Sequence, residues 1–481
     1  MKKLVDLALQ NLKIKKADYG DIRIVEETNE SISTRSGVVE NLTTSTSLGF
    51  GIRVLWRGAW GFAASGKLTK EIIEQTVLKA IKVAQASAAV PGPKVKLAPV
   101  EIVKGGRYRT PYQTDPFQVS LPQKIKLLVA ADQKMMAINK IQVAHSFLRA
   151  FRVKKTFAST EGSYIQQEIT ETGAGIQALA TNGNEVQNRS YPNSFRGLFQ
   201  TRGWELVEEV DLVGNALRVA EEAVALLTAK QCPVGESDLI LDGSQLALQV
   251  HESCGHPTEL DRVLGFEAAY AGTSFMTLDG LGKLKYGSPL VNIVADATTP
   301  FGLGTFGWDD EGVPAQKSYL VKKGIHVGYL TSRETAPIIK QRSNGTMRAD
   351  GWENIPLIRM TNVNLEPGDW QLKDLIADTK DGIYMETNKA WSIDDKRINF
   401  QFGCELGREI KNGKLGLLLK NPSYTGITPQ FWNSCDAICD RKHWQMWGTP
   451  NCGKGEPGQI AHVAHGTAPA RFRKVQVGVA K

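Results

Sequence analysis

Apolar and polar positions follow two different rhythms along this chain, and the rhythm changes near residue 232. Residues 1–10 carry their apolar positions at helical spacing and predict an amphipathic first helix. Alternation at 21–26 and 31–35, with the turn signal Ser36-Gly37, predicts strands. Residues 48–55 and 59–64 flank Trp56-Arg57-Gly58 as a hairpin. Thr69 caps a helix to about residue 88, with Ile73, Val77, Ile81 and Ala84 on one face. A second helix opens at Pro122 over 121–138, and strands follow at 145–158, 163–172, 175–181 and 186–191. A third helix covers 212–230, and Cys232-Pro233-Val234-Gly235 breaks the chain. Strands and helices stand in segregated groups, the mark of an α+β fold with an antiparallel sheet rather than of βαβ units.

Beyond the break, a short strand (238–242) leads into one helix. The next two hundred or so residues are strand-like runs punctuated by Gly and Pro, among them 290–295, 316–322, 359–365, 382–386, 397–403 and 414–419. That pattern predicts an all-β sandwich or barrel with long loops, entered through one helix. The expected division is therefore 1–232, an α+β domain, and 233–481, a β-rich domain holding the candidate chemistry.

Composition narrows the function classes. At 42% hydrophobic and 22% charged, the 481-residue chain is globular rather than disordered. A formal charge of +8 without a basic block argues for no nucleic-acid partner. No run approaches a membrane span, and Asp6 and Gln10 interrupt any leader-like apolar core, so a cytoplasmic protein without a membrane partner is expected. Six cysteines are too few for a disulfide scaffold. Cys435 and Cys439, spaced C-x3-C, lack the second pair of a zinc ribbon.

Two of the seven histidines fall in His251-Glu252-Ser253-Cys254-Gly255-His256. Metal-binding helices space histidines i, i+4; the i, i+5 spacing here would splay the rings by roughly 140° on an ideal helix. They meet only if the turn widens into a π-bulge, which Gly255 and the following Pro257 favour; otherwise they are unrelated. A third ligand must come from elsewhere: Cys452, His462, His465 or the nearby Glu259. Glu252, beside a ligand, is placed to act as general base.

These residues resemble the TldD/PmbA family of zinc metallopeptidases, in particular its metal-binding, TldD-like members. The resemblance rests on several motifs in order: residues 251–259, the HExxxH helix; Asp309-Asp310-Glu311-Gly312 and the hairpin 319–329; Arg359-Met360-Thr361-Asn362 with Glu366-Pro367-Gly368-Asp369; Cys452-Gly453-Lys454; and residues 465–473. It implies one Zn²⁺ per chain on His251, His256 and Cys452, with Glu252 as base. Glu259 would orient a ligand. Asp309, Asp310 and Glu311 would bind the substrate amine or face solvent. Cys254, where the family carries a small apolar residue, is expected as a buried small hydrophobe.

The resemblance further implies a β-rich, barrel-like second domain carrying one zinc-binding helix, and a first domain that supplies the substrate groove and dimer contacts. The implied assembly is a homodimer, or a heterodimer with a degenerate PmbA/TldE-like chain, enclosing the zinc so that only extended or unfolded peptides reach it. Two other readings stand beside this one. A catalytically silent scaffold subunit is disfavoured by the intact His251, Glu252, His256 and Cys452. A DNA gyrase-associated regulator, prompted by older family naming, finds no nucleic-acid motif.

Overall fold

The computed structural model describes residues 1–194 and 197–478. Its first half is built on one sheet in the order Ala59–Ser65, Val38–Trp56, Tyr19–Arg35, Ile141–Ser159, Tyr164–Thr181, Lys104–Arg109. Neighbours are antiparallel except Lys104–Arg109, which runs parallel to Tyr164–Thr181. Strands expected separately at 21–26 and 31–35 are one continuous strand. The runs at 163–172 and 175–181 are likewise continuous. Polar stretches such as Glu26–Glu30 interrupt the hydrophobic alternation without interrupting the backbone ladder.

Side chains two apart on a strand share a face, so Ile22, Ile24 and Ile32 lie together, all buried. Lys70–Ala89 covers the first two with Ile73, Val77 and Ile81, while Leu121–Met136 and Leu212–Leu226 cover Ile32, Ala174, Ile176 and Ala178. Thr69 caps its helix as expected, accepting a hydrogen bond from the Ile72 amide at 3.3 Å. The opposite face of the sheet presents Arg23, Arg53 and Lys155 to the second half of the chain.

The second half contains a closed five-stranded barrel: Asp381–Ile393, Gly235–Leu241, Ala470–Val477, Ser423–Ile427 and Asn399–Lys411, with the last pairing back onto the first. Phe400, Phe402, Tyr424, Phe431, Trp432 and Phe472 pack its aromatic core. The tryptophan- and cysteine-rich stretch 431–447 therefore contributes packing. The α+β class and the barrel expected from sequence are both present. Beside the barrel stand a four-stranded sheet, which includes Ile293–Asp296 and Val363–Leu365, and the hairpin Gln445–Lys454/Gln459–Thr467. No helix among the described residues is long and apolar enough to cross a membrane. All six cysteines are buried and free, Cys254 at 0% exposure.

Candidate metal centre

The helix Gly243–Val250 starts on Asp242, whose carboxylate accepts from the Ser244 amide at 2.8 Å, and is buried along its whole length. A helix buried all round must satisfy its polar side chains internally. Gln245 donates to the Tyr424 hydroxyl, which donates to Gln249, each at 2.9 Å. The α-helix then widens into a π-turn, His251–Gly255, in which the His256 amide donates to the His251 carbonyl. This is the distortion that the i, i+5 spacing requires, and it brings the two imidazole centroids to 4.9 Å. Two buried core residues hold the widened turn: Trp432 Nε1 donates to Ser253 Oγ at 2.9 Å, and the Tyr286 hydroxyl to Ser253 O at 3.0 Å. Gly255 is needed because a Cβ there would run into the Met360 sulfur.

Cys452 arrives from the hairpin. Its Sγ stands 3.4 Å from His251 Nε2 and 3.7 Å from His256 Nε2, and a ligand atom from each of the three residues lies within 4.8 Å of the others. All three are buried, at 3–6% exposure. In a tetrahedral zinc site with ordinary Zn–N and Zn–S lengths, the N···S edge is about 3.6 Å; the observed pair brackets it.

The tautomers follow from the hydrogen-bond chain. Val363 O can only accept, so His465 Nδ1 carries a proton and donates to it at 2.9 Å. His465 is neutral, since burial pushes its pKa down to about 4, so its Nε2 is an acceptor. His251 Nδ1 then donates to that nitrogen at 2.7 Å, leaving His251 Nε2 a lone pair toward Cys452. His256 Nδ1 donates to Glu259 at 2.9 Å, which turns its Nε2 lone pair toward the same point. Burial, then Arg397 and Arg262, hold His256 well below its usual value. Two imidazoles, each tied through Nδ1, and a thiol therefore converge on a point with Nε2, Nε2 and Sγ inward, a donor set that suits Zn²⁺.

Of the other sequence candidates, Glu259 lies behind His256, with one carboxylate oxygen buried without a hydrogen-bond partner. Lys454, two residues from Cys452 and so on the same strand face, reaches Glu259 at 3.4 Å and Asp261 at 2.7 Å. His465 stands behind His251. His462 points the other way, its Nδ1 at 2.5 Å from Glu171 of the first-half sheet. Glu252, 6% exposed, meets Arg397 Nη1 at 2.5 Å. Asp309, Asp310 and Glu311 do not face solvent: they are 0–3% exposed at the seam with the first half. Asp310 pairs with Lys155 at 2.6 Å and Arg23 at 3.5 Å, and Glu311 pairs with Arg53 at 3.1 Å.

Comparison with known proteins places this geometry. Residues 234–478 match the family model described as the PmbA/TldA metallopeptidase C-terminal domain, residues 20–84 its domain 1 and residues 114–230 its central domain. A metalloprotease of Methanocaldococcus jannaschii is 30% identical over 93% of this chain and 94% of its own length.

The chain belongs to the PmbA/TldD family.

It is a metallopeptidase. A zinc metalloprotease TldD homolog of Saccharolobus solfataricus is 22% identical over 89% of this chain and 90% of its own. The solved structure of TldE from Thermococcus kodakarensis covers 100% of both chains at 16% identity, with a TM-score of 0.73, and so shares the fold. Sequence reasoning missed two residues that touch this candidate site. Arg397 follows the charged turn Asp394-Asp395-Lys396 and reads only as the first residue of the strand-like run 397–403. Arg359, quoted only as part of a motif, donates to the Cys452 carbonyl at 2.5 Å and to Gln459 O at 3.1 Å, clamping both hairpin strands.

Proposed function

We propose that this metallopeptidase is zinc-dependent, binds one Zn²⁺ per chain through His251, His256 and Cys452, and hydrolyses extended or unfolded peptides. The convergence of three buried donor atoms carries the reading. When bound, zinc supplies Lewis acidity, polarising a peptide carbonyl and acidifying water. Glu252 takes the proton of the attacking water and returns it to the departing amine. Glu259 and His465 hold the two imidazoles in the required tautomers.

Burial supports an extended substrate: side chains at 3–6% exposure are out of reach of a folded protein's surface. A cavity of about 380 Å³, lined by residues that include Ser31, Phe147, Arg149, Pro450 and Asn451, lies beside the strand that carries Cys452 and gives a peptide room. The likeness to TldE, together with the family, supports a dimer, either of two copies or with a degenerate TldE-like chain. We place the protein in the cytoplasm, in keeping with its reduced, buried cysteines.

The test is metal analysis and casein hydrolysis on the wild type and Glu252→Gln. Expected are about one zinc per chain in both proteins and hydrolysis only in the wild type. A metal-free wild type, or an active Glu252→Gln protein, overturns the reading.

A further inference from the structure

Glu252 is met by a cation delivered from 145 residues away. Arg397 sits on the turn joining the barrel strands Asp381–Ile393 and Asn399–Lys411, and its Nη1 lies 2.5 Å from Glu252 Oε2. Both side chains are largely buried, at 16% and 7% exposure. The turn is built to hold this residue in place. Asp394 accepts the amides of Ile398 at 2.8 Å and Asn399 at 3.2 Å, and its carbonyl accepts the Arg397 amide at 2.8 Å. The Arg397 carbonyl accepts the Thr428 hydroxyl at 2.9 Å, and the Asp395 carbonyl accepts Arg262 Nη2 at 2.8 Å. Arg397 itself has φ +65°, where Gly or Asn would fit with less strain, so the local backbone does not select arginine. Its side chain gains little as packing either, for a buried ion pair is a poor source of stability compared with apolar residues of the same volume.

What this arrangement does supply is a fixed direction for one carboxylate. We propose that Arg397 is the positioning residue of the peptidase reaction: it clamps Glu252 so that the carboxylate faces the water it deprotonates. This rests on the reading of Glu252 as the base. A glutamate has three side-chain torsions, and a base displaced by about 1 Å loses on the order of 10²-fold in rate.

The experiment compares Arg397→Ala, Arg397→Met and Arg397→Lys with the wild type and Glu252→Gln in the zinc-loaded full chain. It measures zinc content, thermal midpoint, kcat and KM on one peptide. The clamp predicts that Ala and Met lower kcat by about 10- to 100-fold with KM and zinc content unchanged, and that Lys, which restores a charge at one atom, recovers part of the rate. Wild-type kcat in both Ala and Met variants, with Glu252→Gln inactive, overturns the clamp and leaves the base assignment standing. Loss of fold in Ala and Met, with Lys restoring the fold but not the rate, also overturns it, assigning Arg397 to stability. An active Glu252→Gln protein removes the base itself, and the clamp with it.

Discussion

At the scale of single residues, the centre is a set of proton positions as much as a set of ligands. Each histidine of the proposed zinc site is tied through Nδ1 to a buried partner of different chemistry, His465 for His251 and Glu259 for His256. Removing either partner frees a ring to rotate or change tautomer. Substituting Cys452 by Ser is expected to abolish stable zinc occupancy, and His465→Ala to weaken it by about 10- to 100-fold, both measured by chelator competition. Unchanged affinity in His465→Ala would mean that packing alone orients His251. The sequence made this layer partly legible. The His251–His256 spacing is local and announces itself, whereas the third ligand was open among Cys452, His462, His465 and Glu259 on spacing alone. The two strand histidines, three residues apart, leave the strand on opposite faces, so only one can point at the helix. Arg397 was legible only as the start of a strand-like run, because a single arginine beside a charged turn carries no functional pattern.

At the scale of elements, the site depends on a helix that changes pitch at the motif. Five residues of π-turn follow eight of α-helix, and two buried core side chains fasten the transition at Ser253. The widened turn has no slack at Gly255. Gly255→Ala is expected to cost about 1–3 kcal/mol by denaturant unfolding and to reduce zinc content, because the added methyl displaces Met360. A Met360→Ala background should relieve most of that cost; strict additivity in the double-mutant cycle would contradict the steric account. Hydrophobic rhythm located the helix but could not show the pitch change, which required pairing the histidine spacing with the ligand geometry. It also divided long strands where the alternation lapsed, at the polar run Glu27–Glu30 and at Gly173-Ala174.

At the scale of the whole molecule, the run Asp309-Asp310-Glu311 joins the halves. Sequence gave this run the look of solvent or a substrate subsite, since its partners Arg23, Arg53 and Lys155 lie more than 150 residues upstream. Burial raises the Asp310 pKa, but Lys155 and Arg23 outweigh it and leave the group below the usual carboxylate range. A carboxylate depressed in the fold stabilises above its unfolded pKa of about 3.9 and loses that contribution as pH falls through the folded value. Acid unfolding should therefore steepen below about pH 4, and Asp310→Asn should flatten that limb while costing about 3–5 kcal/mol at neutral pH. A wild-type acid limb in that variant would place the acid sensitivity elsewhere. The hairpin Gln445–Lys454/Gln459–Thr467 has a consequence at the same scale. One side holds Cys452 and His465, and the other presses His462 against Glu171 of the first-half sheet. The same backbone thus carries a proposed ligand on one face and a contact with the first half on the other. By reciprocity, an ion that binds more tightly when the halves are closed must also hold them closed, and the chelated protein should breathe along its seam.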